Sequence, residues 1–254
     1  MSVALRRSQG GYDGIDARVL AERWGRPLVL ALSRTTSTMD VAHELAGDGA
    51  PAGSVVLADE QTAGRGRGGK RWASAPGRGV WVTTLERVQD VAALDVLSLR
   101  VGLAAAGALA RLVSRPIGIK WPNDLLVDGA KLAGILIEAR WREGMPEWVA
   151  VGVGVNVLPP PGEDGARLGE AVPRLAVLDA LLPAVATAAG ARGALSPAEL
   201  DAIAMRDVAR GRTISAPAPG RVEGISAAGE LLVRAGDGLL RRCRSGSLIF
   251  GRDE

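Results

Sequence analysis

The chain has 254 residues, of which 47% are apolar and only 3% aromatic, and its formal charge is +3. That length suffices for one large domain with a small companion, built on a core of Val, Leu, Ala and Ile. A single cysteine, Cys243, and a single histidine, His43, exclude an internal disulfide and the usual Cys/His zinc sites.

The sequence pI of about 9.6 is mildly basic. A weak overall excess does not argue for nucleic acid, whose footprint is clustered charge. The N-terminal stretch MSVALRRSQGGYDG is not a signal peptide. The most apolar stretch, Leu97 to Val113, is interrupted by Ser98, Arg100 and Arg111, so no membrane helix is expected. These features predict a reduced, soluble, cytoplasmic protein.

Residues 1–14 read as loosely attached. Ile15 to Trp24 has the pattern of an amphipathic helix closed by Gly25. Pro27 to Leu32 reads as a strand. Met39, Val41, Ala42 and Leu45 fall at helical spacing, with Ser37 or Thr38 as cap. Ser54 to Ala58 and Val80 to Leu85 read as strands, and Leu94 to Val113 as a long buried helix. Strands follow over Ile117–Trp121, Leu125–Val127, Leu132–Ala139 and Trp148–Val157, with a hairpin turn at Asp128-Gly129. The last of these ends at a Pro-rich break, Pro159 to Pro161. Helices are predicted over Leu175–Ala189, kinked at Pro183, and over Ser196–Ala209, where Ser196 and Glu199 form a capping box.

From about residue 211 short apolar pairs alternate with Gly, Pro and Arg. This predicts five short strands in a small SH3-like barrel. The expected organisation is residues 1–210 as the main domain and 211–254 as the barrel. Helices mixed with antiparallel hairpins favour an α+β fold over a doubly wound sheet.

Two segments carry chemistry. Residues 61–79 contain Arg65, Arg67, Lys70, Arg71 and Arg78, six glycines and no acid. Glycine lets backbone approach a ligand, and arginine offers paired donors to phosphate or carboxylate. The segment matches neither a P-loop nor a dinucleotide fingerprint. A solvated RG-rich loop or an RNA-binding segment is the alternative reading, although Gln61 and Trp72 are costly to expose in a linker.

The second segment is Lys120-Trp121-Pro122-Asn123-Asp124. Pro122 stops a strand, Trp121 is expected to bury, and Asn123 and Asp124 then project from the strand end. Asp124 is a hard oxygen donor suited to Mg²⁺ beside phosphates; a plain β-turn is the alternative. Lys131 enters an apolar strand, either as an edge gatekeeper or as a charge held for an anion. The glycines of residues 152–157 signal close backbone approach, and Asn156 would point toward whatever lies there.

Ser37-Thr38-Met39-Asp40, the 61–72 loop, Lys120–Asp124, Lys131–Glu138 and Gly152–Val157, taken in this order, resemble the biotin–protein ligase family. The resemblance covers roughly residues 33–160. It implies a mixed, largely antiparallel sheet flanked by helices, like the class II aminoacyl-tRNA synthetase catalytic domain, plus the small barrel. It implies the substrates biotin and ATP with Mg²⁺, and a biotin carboxyl carrier domain as protein partner.

By resemblance, Ser37, Thr38 and Gln61 would bind the ureido ring, and Arg65-Gly66-Arg67 would close over biotin and the phosphates. Lys131 would bind the carboxylate and later the α-phosphate, so Lys131, Arg65 and Arg67 would be the catalytic cations. Lys120, Asn123, Asp124 and Asn156 would line the ATP and metal side, with Asp124 the metal ligand. Met39, Trp72 and Gly134 would complete the ligand contacts. Met39 and Gly68 depart from the family's best-known bacterial member, which has Asn and Arg there.

Only about 30 residues precede the Ser37 motif, so no DNA-binding domain and no operator binding are expected. A monomer or a weak, ligand-linked homodimer is implied. The rivals are a lipoate ligase or a cysteine-dependent octanoyltransferase, which share the fold, and a non-enzymatic nucleic-acid module. Cys243 lies far in sequence from the motifs, and the last rival explains neither Lys131 nor Lys120–Asp124.

Overall fold

A computed structural model describes residues 10–88, 90–158, 166–169 and 171–251. The chain opens with a small hairpin, β1 (Gly11–Tyr12) and β2 (Ile15–Asp16), followed by α1 (Ala17–Trp24). Residues 10–14 are therefore not loose. Tyr12 is buried, its hydroxyl donates to the Gly79 carbonyl, and the Arg174 guanidinium covers its ring. Residues 1–9 and Pro159–Pro161 lie outside the described residues. Gly25 ends α1 in the left-handed conformation that its lack of a Cβ permits.

The main sheet runs β3 (Val29–Thr35), β4 (Val55–Gln61), β5 (Gly79–Glu86), β9 (Met145–Asn156), β8 (Ala130–Arg142), β7 (Asp124–Val127) and β6 (Gly118–Lys120) in spatial order. Only β3 and β4 pair in parallel, with α2 (Thr38–Gly47) crossing between them. The expected mixed, largely antiparallel α+β sheet is what forms. Asp128 and Gly129 both take positive φ between β7 and β8, the geometry that a tight hairpin needs.

One face of the sheet carries α3 (Val91–Leu109) and α4 (Arg174–Gly190). By length and apolar content α3 could cross a membrane, yet it is a core helix with Val96, Leu97, Val101 and Leu109 buried. Its Arg100 is only 4% exposed and pairs with Glu199 at 2.6 Å. Helix α4 runs on through Pro183. Helix α5 (Pro197–Ala204) carries the predicted capping box but stops before the expected end. Beyond it the Val208 amide donates to the Ile119 carbonyl at the edge of the main sheet.

Strands β10 (Thr213–Ala216), β11 (Gly220–Ile225), β12 (Leu231–Arg234), β13 (Leu240–Cys243) and β14 (Ile249–Phe250) form an antiparallel sheet of order β13-β12-β11-β10-β14. Its buried residues Ile214, Val222, Leu231, Val233 and Leu248 join the same hydrophobic cluster as the main sheet. Trp121 is buried as expected, and its indole N–H donates to the Gly229 carbonyl at 2.9 Å, tying the two sheets together.

Candidate functional site

A cavity of about 410 Å³ opens on the face of the main sheet and reaches the small one. It falls within the usual range for a small-molecule site. Strands β5, β8 and β9 supply its floor, the 61–72 loop and the start of α2 one wall, and residues 120–124 and 246–249 the far end.

One end is polar and tightly specified. Ser37 caps α2 by accepting from the Met39 amide at 3.3 Å. Gln61, the last residue of β4, faces that cap across the parallel pair. Its Oε1 accepts from the Thr38 amide at 2.8 Å and from the Thr38 hydroxyl at 3.1 Å. Its Nε2 donates to Ser74 at 2.8 Å, and the Thr38 hydroxyl also meets Thr83 at 2.8 Å. Met39 is buried, and its Cε lies where a side chain on Gly152 would stand.

The glycine-arginine segment folds as a small hairpin over the cavity. Gly66 N–H donates to the Lys70 carbonyl at 2.7 Å and Trp72 N–H to the Gly64 carbonyl at 2.8 Å. A Cβ at Gly64 would stand 2.6 Å from the Trp72 carbonyl, so this position admits only glycine without a shift. Arg67 donates to the Gly246 carbonyl at 2.7 Å. Arg65 is turned to the rim, where it pairs with Asp40 and with Glu138.

Trp72 ends the hairpin by packing on the floor where β8 and β9 both carry glycine. Its ring fills the space above Gly134 and Gly154, which face each other across the two strands. Its indole N–H is buried without a protein partner. Lys131 Nζ stands 4.8 Å from the centre of the Trp72 ring.

The opposite end is cationic. Lys131 Nζ lies 2.8 Å from Asp124 Oδ1, an ion-pair contact that misses hydrogen-bond alignment. Lys120 lines the same end, 5.6 Å from the centre of the Phe250 ring. Asn123 lines the cavity too, but its amide donates to the Ile135 carbonyl at 2.9 Å. Asn156 is buried behind the floor, donating to the Lys131 carbonyl at 3.0 Å. Thus Ser37, Thr38, Met39, Gln61, Arg65, Gly66, Arg67, Trp72, Lys120, Asn123, Asp124, Lys131 and Gly134 come together around one cavity, and Asn156 supports it from outside.

Sequence reasoning did not find Thr83 or the 246–249 segment among the lining residues. Thr83 looks like any strand residue, and Gly246 and Ser247 lie more than 170 residues from the loop they meet. No local pattern marks either.

The Biotin/lipoate A/B protein ligase family matches residues 31–156. The Bifunctional ligase/repressor BirA of Bacillus subtilis is 39% identical over 129 residues, half of this chain and 40% of its own. The Biotin–[acetyl-CoA-carboxylase] ligase of Paracoccus denitrificans is 39% identical over 170 residues, 61% of this chain and 70% of its own. The chain spans about two fifths of the first of these and over two thirds of the second. Among solved structures, the biotin protein ligase from Aquifex aeolicus in complex with biotin and ATP shares the fold, with a TM-score of 0.72 and 23% identity. That superposition covers 89% of this chain and 99% of the other. With the site's residues falling inside the matched segment or against it, the chain belongs to the biotin–protein ligase family.

Proposed function

We propose that this chain is an ATP-dependent biotin–protein ligase. It would form biotinoyl-5′-AMP from biotin and ATP and then transfer biotin to a lysine of a biotin carboxyl carrier protein. The observation that carries this reading is one cavity with a polar amide-and-hydroxyl end, a glycine floor and a lysine-rich end. That sequence of surfaces suits a ligand with a neutral ring, an apolar chain and a carboxylate.

At the polar end, the Gln61 amide oxygen is taken by Thr38, which fixes which way the amide faces. Gln61 Nε2 keeps a second hydrogen, and the Ser37 hydroxyl hydrogen is not consumed by the cap. Those donors suit the ureido carbonyl. At the other end, Lys131 and Lys120 supply positive charge where a carboxylate meets a triphosphate.

A carboxylate oxygen of biotin attacks the α-phosphorus and pyrophosphate leaves, giving a mixed anhydride. Lys131 offsets the negative charge that builds on the phosphate oxygens. The anhydride is water-sensitive, and the 64–72 hairpin shields it. The carrier lysine, as the free amine, then attacks the acyl carbon and AMP leaves, with loss of one amine proton.

Among the described residues no cluster of three or more His, Cys, Asp or Glu could hold a metal by itself. Asp124, a carboxylate beside the lysines, fits Mg²⁺ bound mainly through substrate phosphates and water. Bound there, Mg²⁺ would neutralise phosphate charge, and Lys131 would exchange its contact with Asp124 for the substrate. The proposed division at residue 210 leaves the small sheet as a wall of this site through residues 246–249. Pyrophosphate release from ATP that depends on biotin tests the first step; release unaffected by biotin would refute it.

A further inference from the structure

Arg65 sits at the end of a chain of side chains that the proposed reaction does not use. Its guanidinium pairs with Asp40 on α2 and, at 3.2 Å, with Glu138 on β8. Glu138 in turn meets His43 Nε2 at 3.0 Å, and the Trp148 indole N–H donates to His43 Nδ1 at 2.9 Å. An indole N–H can only donate, so Nδ1 is an acceptor and the imidazole is neutral. Its proton lies on Nε2 and points at Glu138. Glu138 Oε2 therefore accepts from His43 and from Arg65 together, so the imidazole holds the carboxylate that holds the arginine.

This arrangement is unsuited to gripping an anion. Two carboxylates, one guanidinium and a neutral imidazole sum to a net charge of about −1 at the rim. A carboxylate or phosphate brought to Arg65 there would face Asp40 and Glu138 as well. The contacts are also soft, because Arg65, Asp40 and Glu138 are each about one third exposed (38%, 37% and 33%).

We propose that Asp40 and Glu138, with His43 and Trp148 behind them, are positioning residues that park Arg65 of the cavity hairpin away from the ligand. Binding an anionic ligand requires Arg65 to leave both carboxylates. The parked state lowers the apparent affinity, because only the fraction of molecules with the arginine released is competent. The inference rests on the ligase reading for the identity of the ligand, but the latch itself does not.

The test compares wild type with D40N/E138Q, W148F and E44Q. Glu44 lies in the same groove without an Arg65 contact, so E44Q controls for general charge. Calorimetry is run with a non-hydrolysable sulfamoyl analogue of biotinoyl-AMP, and trypsin cleavage after Arg65 is followed without ligand. Expected are an affinity gain of about three- to tenfold in D40N/E138Q, a smaller gain in W148F and none in E44Q. Ligand-free cleavage should accelerate in the same order. Unchanged or weaker binding in D40N/E138Q, or an equal gain in E44Q, would overturn the proposal. If wild type does not bind the analogue, the ligase reading fails, and the ligand-free cleavage rates still decide the latch: equal rates overturn it.

Discussion

A Cβ on Gly154 would come within 2.6 Å of the Trp72 indole, and the same ring blocks a Cβ on Gly134 at 2.7 Å. Two facing glycines on adjacent strands therefore make the slot that seats the tryptophan at the end of the hairpin. Gly154→Ala would push the ring into the cavity while leaving the strand backbone intact. Overpacking of this kind costs about 1–3 kcal/mol of stability. The larger effect is expected on ligand binding, with biotin affinity falling about tenfold or more. Calorimetric titration with biotin, alongside thermal melting, checks both.

The amide of Asn156 donates to the Lys131 carbonyl, so we expect it to act through Lys131. Asn156→Ala removes one buried hydrogen bond, worth about 1–3 kcal/mol when the acceptor is left unpaired. The expected signature is a fall in kcat for adenylate formation with a smaller change in the KM for ATP. Steady-state pyrophosphate release distinguishes this from direct nucleotide contact, which would raise KM first.

Lys131→Ala and Arg67→Ala are expected to cripple adenylate formation, by about a hundredfold or more for Lys131. For Arg67 the loss should also loosen the hairpin, because its bond to the Gly246 carbonyl disappears. Biotin-dependent pyrophosphate release at wild-type rates in either variant would remove that residue from the mechanism.

Stability should depend on pH through Glu199. The Arg100 guanidinium bonded to it holds the carboxyl down at about 2 against an opposing desolvation effect, and the Ser196 cap adds to the lowering. A depressed folded-state value contributes stability above the unfolded value of about 4.3, lost as pH falls toward 2. Glu199→Gln should be less stable at neutral pH, by roughly 2–4 kcal/mol given the buried arginine left behind. It should also show a flatter decline between pH 5 and pH 2. Chemical denaturation across that range measures it; parallel curves would refute the assignment.

Much of this molecule was legible in local pattern. Gly25, the Ser196–Glu199 box and the Asp128-Gly129 turn sit where backbone chemistry demands them. The glycines of β9 announced a close approach, and Trp72 turned out to be what approaches, seated also on Gly134 of β8. What was not legible depends on distant partners. Tyr12 looked like part of a loose terminus, because its burial rests on Gly79 and Arg174. Val208 fell inside the expected helix, but its amide serves a contact with the Ile119 carbonyl instead. The hairpin at residues 141–145 extends β8 and β9 beyond the buried sheet, leaving Trp141 and Met145 exposed, so burial patterning could not bound it.

The central claim is tested most directly by incubating the protein with ATP, Mg²⁺ and an isolated biotin carboxyl carrier domain, offering biotin and lipoate in parallel. Mass spectrometry of the carrier should show biotin on a single lysine, with AMP released in step. Transfer of lipoate in place of biotin, or no modification while the protein remains folded, would contradict it.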